Sequence, residues 1–128
     1  MNAVETDTPI AISKVQDCLL VSIQGMLVDA LLGEHRTAIF ERIQSMKVNG
    51  VIFDFNAVST LDTFAFKIFV DITKMILLMG MPTVWVALNP GVVSALIDLD
   101  VNTKNLYTAR TLENGLQLIE KFHCGRKR

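Results

Sequence analysis

A chain of 128 residues, 51% apolar and with a formal net charge of −1, is long enough for one domain with a full core. Its near-neutral balance argues against a dedicated nucleic-acid binder, which carries a basic patch. A mean hydropathy of +0.41 with so little net charge points either to a well-filled monomeric core or to surface hidden in an assembly.

Residues 1–9, Met-Asn-Ala-Val-Glu-Thr-Asp-Thr-Pro, are polar and read as a flexible lead with no apolar signal segment. Ile10 to Val15 and Cys18 to Gln24 read as two strands around the turn residues Gln16-Asp17, which predicts a hairpin. From about Asp29 to Lys47 the period becomes helical, with Leu32, His35, Ile39, Ile43 and Met46 on one stripe. Asn49-Gly50 is expected to close that helix. Val51 to Phe55 is almost wholly apolar, as a central strand covered on both faces would be.

A second helix is predicted over 63–79, with Ala65, Ile68, Phe69, Ile72, Met75, Ile76 and Met79 inward. Gly80 stops it and Pro82 prevents its continuation. Thr83 to Leu88 is the next strand, and Asn89-Pro90 opens a shorter helix through about Leu99. Leu106-Tyr107 supplies a brief edge strand, and Thr111 to Phe122 a last helix with Leu112, Leu116, Ile119 and Phe122 inward. The domain spans residues 10–123, and residues 124–128 form a basic tail. This order predicts an α/β fold: a mostly parallel central sheet with an N-terminal antiparallel hairpin edge and about four helices.

Reactive groups are few. Cys18 and Cys124 have no CxxC partner, and Cys18 lies in an apolar run, as a reduced core residue does. His35 and His123 have no metal-ligand spacing, so neither a metal nor a cofactor is expected. No phosphate-binding loop, dinucleotide fingerprint or nucleophile elbow is present in the sequence. Asp54 ends the central strand, where a phosphoacceptor of the receiver type would sit. Receivers need an acidic pair after the first strand to hold Mg²⁺ and a lysine after the last. Here Gln16-Asp17 and Tyr107-Thr108-Ala109 occupy those places. The expectation is therefore a non-enzymatic protein, with a small α/β enzyme of unrecognised site as the lesser alternative. No apolar stretch approaches the ~18 residues of a membrane span, and a cytoplasmic location is expected.

One segment carries a credible chemical event. After Phe55 comes a polar loop with Ser59 and Thr60, then Asp62-Thr63 at the apparent start of the second helix. Asp62 reads as the N-cap of that helix. The Thr63 hydroxyl stands at the positive end of the helix dipole, where a phosphate is tolerated. The neighbouring acid would meet that phosphate as a like charge. A hydroxyl placed this way can act as a switch. Ser59 and Thr60 are fallback acceptors, or turn residues that bond the local backbone. Phe64, Phe66 and Lys67 are a candidate docking surface, although the two phenylalanines suit core packing equally well.

At Leu61-Asp62-Thr63-Phe64-Ala65, following the strand Val51–Phe55, the chain resembles the STAS family of sulfate-transporter and anti-sigma-antagonist domains. Within it, the chain resembles the RsbS-type scaffolds of bacterial stressosomes. Cys18-Leu19-Leu20-Val21-Ser22-Ile23-Gln24, Leu77-Leu78-Met79-Gly80 and Asn89-Pro90-Gly91-Val92-Val93 fit the same group, and the resemblance covers roughly residues 8–122. It implies that Thr63 is phosphorylated by a partner kinase. RsbS-type members usually carry serine there and the RsbR-like paralogues commonly threonine. The implied partners are an RsbT-type serine/threonine kinase, RsbR-like STAS paralogues and further copies of the chain in a large oligomer. A simple anti-sigma factor antagonist is the runner-up function.

Overall fold

The computed structural model describes residues 10–24, 34–58, 63–98 and 106–126, and the hairpin at its start sets the register of the sheet. Strands β1 (Ile10–Val15) and β2 (Cys18–Gln24) pair antiparallel from Val15↔Cys18 to Ile10↔Ile23, leaving Gln16-Asp17 as a two-residue turn. Gln16 takes a φ of 53°, the left-handed conformation such tight turns require. The Asp17 carbonyl accepts the Asn49 N–H at 2.6 Å, which ties the turn to the chain entering the next strand.

Beyond the hairpin every strand is parallel to its neighbour. Helix α1 (Glu34–Ser45) leads to β3 (Gly50–Ala57), α2 (Thr63–Leu78) to β4 (Thr83–Val86), and α3 (Pro90–Asp98) to β5 (Tyr107–Ala109). A last helix, α4 (Leu112–Arg126), follows. The sheet order is β1-β2-β3-β4-β5, so spatial order is chain order. Strand-to-strand crossovers of one hand carry their helices to one face, and the packing agrees. Ile39 and Ile43 of α1, Phe66, Phe69, Ile72 and Ile76 of α2, and Val92 of α3 share one cluster with Leu19, Val21, Phe53, Phe55 and Trp85. On the other face α4 places Ile119 against Cys18, Ile52, Val84 and Val86. Alternation along β2, β3 and β4 divides the two sets. The predicted α/β architecture is the one observed.

The two faces are built differently. Under α2 lies a cluster of rings: Phe69 meets Phe53 edge-on at 5.9 Å and Phe55 at 5.3 Å, while Phe55 lies 4.9 Å from Trp85. The Trp85 indole N–H donates to Thr73 Oγ1 at 3.0 Å, and that hydroxyl donates to the Phe69 carbonyl at 2.8 Å. The one buried hydroxyl among the described residues without a partner is Thr83 Oγ1. On the α4 face, proximity replaces bulk. A Cβ at Gly50 would stand 2.7 Å from Ile119 Cδ1 and Cγ2, and one at Gly115 would stand 2.7 Å from Val86 Cγ1.

Several element ends differ from the sequence expectation. Asn49-Gly50 does not cap α1, which stops at Ser45 with Met46 N–H on the Arg42 carbonyl. Gly50 instead opens β3, where α4 leaves no room for a side chain. Gly80 closes α2 as predicted, with a φ of 91° and N–H groups of Gly80 and Met81 on the carbonyls of Leu77 and Ile76. Strand β4 ends at Val86 rather than Leu88, because Ala87 turns to a φ of 63°. Along α2, Met75 and Met79 face solvent, and Phe66 and Thr73 take the inward positions. The start expected for the first helix at Asp29, the 1–9 lead and the His35 side chain fall outside the described residues.

Candidate functional site

The site is the C-terminal edge of the parallel strands, where β3 ends and α2 begins. Asp54 lies half-buried near the end of β3, between Ser22 of β2 and Val86 of β4. Its Oδ1 accepts the Asn56 N–H at 2.9 Å, so the carboxylate is engaged in shaping the local backbone. Just beyond, the Phe55 carbonyl accepts the Val58 N–H at 2.9 Å and Val58 is buried. The strand thus turns over into the loop with its last apolar side chain anchored.

Asn89 holds this turn from the neighbouring crossover. Its Nδ2 donates to the Val58 carbonyl at 2.5 Å, and its Oδ1 accepts the Val92 N–H at 2.9 Å. One amide therefore caps α3 and fastens the start of the β3–α2 loop. The sequence marks Asn89-Pro90 as a helix opening. The second bond needs the topology, because β3 and β4 must be adjacent before Asn89 can reach Val58.

Helix α2 begins at Thr63, as the sequence predicts, and its first-turn N–H groups face the same edge. A helix N-terminus there offers positive potential to an anion. Ser59, Thr60 and Asp62 lie outside the described residues, as do the side chains of Thr63 and Phe64. Lys67 is exposed. Phe66 corrects the docking expectation: it is wholly buried, its ring stacked 6.3 Å from that of Trp85 at an interplanar angle of 8°. At about 100° per residue, position 66 falls on the inward arc with Phe69, Thr73 and Ile76, so its ring is core and not surface.

The other singled-out groups have structural surroundings. Cys18 is buried and unpaired, and its thiol is pushed up to about 11, first by burial and then by the Asp17 charge. Among the described residues no three His, Cys, Asp or Glu side chains gather as a metal site would require. No helix among them is long and apolar enough to cross a membrane.

The arrangement is that of an α/β domain presenting a helix N-terminus at the strand ends. The STAS domain family model matches residues 9–114, and the chain belongs to the STAS family. No curated protein matches it in sequence. Among solved structures it is similar to a serine-to-glutamate variant of RsbS from Moorella thermoacetica. That match has a TM-score of 0.77 and 23% identity, and covers 88% of this chain and 96% of the other. A chain in a structure of the stressosome, described as a signal integration and transduction hub, matches at a TM-score of 0.74 and 22% identity. It covers 88% of this chain and 97% of that one. The anti-sigma factor antagonist SpoIIAA in its unphosphorylated form matches at 0.68 and 15% identity, over 88% and 96% of the two chains. At these identities the likeness is one of fold.

Proposed function

We propose that this chain is a non-enzymatic regulatory scaffold that binds a serine/threonine switch kinase and releases it when Thr63 is phosphorylated. The observation that carries this reading is the start of α2 at Thr63, on an edge braced by the Asn89 bridge to Val58. The fold likeness to RsbS, and to SpoIIAA, which exists in phosphorylated and unphosphorylated forms, supports it. A phosphate on Thr63 adds about −1.5 to −2 charges. In the free domain the helix N-terminus and water offset that charge. Against a docked kinase that excludes water, with Asp62 adjacent, the same charge is repelled and the complex opens. Phe64 and Lys67 then belong to the docking side, with Ser59 and Thr60 as secondary acceptors. The setting is a cytoplasmic stressosome-type assembly of this chain with RsbR-like paralogues, and the kinase is of RsbT type.

Incubation with a cognate kinase and ATP, followed by phosphosite mapping, tests the reading. Modification at Thr63 is expected, and a chain left unmodified at Thr63, Ser59 and Thr60 ends it. Thr63→Asp should weaken kinase binding and Thr63→Ala preserve it; the reverse order removes the repulsion argument. The likeness to SpoIIAA favours a second reading, a free-standing anti-sigma factor antagonist. Native mass spectrometry separates the two, since an antagonist stays small in the presence of RsbR-like partners and a scaffold does not.

A further inference from the structure

The outward side of α2 is not used by the fold. Within an arc of about 60°, at 100° per residue, stand Lys67, Asp71, Lys74 and Leu78, all exposed. Leu78 is 87% exposed, the highest value among the exposed large apolar residues, and Met75 on the flank is 42% exposed. Among the described residues none of the three charged groups makes an ion pair or hydrogen bond. Leu77 at 41% and Met79 at 40% are exposed beside Leu78 at the end of the helix, and such a run of apolar side chains next to a charged face calls for a cover.

The order of these residues selects the cover. If a second copy of α2 crosses the first antiparallel about a two-fold axis at the level of Ile72 and Thr73, Asp71 of each copy meets Lys74 of the other. Leu78 then lies on the aliphatic stem of Lys67, leaving the ammonium in water, and half-buried Val70 faces Met75. One opposite-charge contact and two apolar contacts recur on each side of the axis, which is the self-complementarity an isologous interface demands. A parallel pairing would instead set Asp71 against Asp71 and Lys74 against Lys74. We infer that the outward face of α2 is a homodimer contact, made by two antiparallel copies of this helix. It deepens the co-assembly part of the proposed function, and because Lys67 also lies on the kinase-docking side, the test substitutes only Asp71 and Lys74, so that phosphorylation at Thr63 and assembly are read separately.

One helix pair buries less than the roughly 1,200 Å² of a standard interface, so the dimer is weak and concentration-dependent. Sedimentation equilibrium of the full chain should show it with a dissociation constant of order 0.1 mM at low salt, rising with ionic strength. Asp71→Lys and Lys74→Asp each place like charges across the axis and should each weaken association by about tenfold or more. Mixed together, these two variants regain both opposite-charge contacts and should form the heterodimer. The double variant D71K/K74D should return to wild-type self-association. Circular dichroism melts that match wild type show that the surface changes leave the fold intact. A wild-type chain that stays monomeric at millimolar concentration overturns the inference, as do single variants that dimerise normally or a mixture that does not associate. Binding of phosphatidylserine vesicles by a monomeric wild type, lost in Leu78→Glu, would assign the face to a membrane and overturn it equally.

Discussion

The two faces of the sheet solve the same burial problem by opposite means. Under α1, α2 and α3 the space is filled by large rings locked by one hydrogen-bonded pair, Trp85 to Thr73. Under α4 the space is removed, with Gly50 and Gly115 letting the helix settle onto β3 and β4. Bulk tolerates neither loss nor rearrangement of rings, while close approach tolerates no added atom. The contrast teaches that a missing side chain can be as structural as a large one.

The largest test falls on the ring face. Trp85→Ala removes the ring that touches Phe55, Phe66 and Phe69 and leaves the Thr73 hydroxyl with the Phe69 carbonyl alone. A loss of about 3–5 kcal/mol by urea unfolding is expected, and a loss below about 1.5 kcal/mol would mean the ring cluster is loosely packed. On the α4 face the reverse change should hurt. Gly115→Ala adds one methyl against Val86, and despite the helix propensity gained it should cost about 1–3 kcal/mol. If the variant is instead more stable, α4 does not lie as closely as described.

Thr83→Val returns the comparison to the ring face, because alternation puts position 83 on the same side as Trp85. Removing a buried hydroxyl without a partner while keeping its shape should stabilise the protein by about 1 kcal/mol. A drop in melting temperature would show that the hydroxyl is bonded after all. The smallest effect belongs to Cys18 on the α4 face and emerges only in alkali. Its folded value, about 11, lies above the ordinary 9.0, so the folded chain holds the proton longer. Stability from this site is complete below pH 9 and declines as pH rises from 9 towards 11. Urea midpoints of wild type should fall across that window relative to Cys18→Ala, and parallel curves would remove the effect.

Much of the ring face was legible because rings and alternation leave a pattern. Leu19, Val21 and Ile23 announced one side of β2, and the helix over Thr63–Leu78 appeared with its start at the right residue. The α4 face was harder. Gly50 follows Asn49 in a pair that local chemistry reads as a helix end, and only Ile119, 69 residues away, gives it its actual reason. Phe66 could be core or surface on periodicity alone, until Trp85 on β4 supplied a ring to stack on. At the candidate site, Thr63 was marked by the acid before it and the helix after it. The Asn89 bridge to Val58 was invisible, since it joins residues 31 apart that meet only when β4 lies beside β3.

The sheet grows in the order in which the chain is made. A polypeptide leaving the ribosome can add each crossover to an existing edge without reopening an earlier pairing. The sealing helix arrives last, so Ile52, Val84 and Val86 stay uncovered until α4 emerges. Released chains truncated before Leu112 should therefore bind a hydrophobic dye or a holdase chaperone, and chains that include α4 should not.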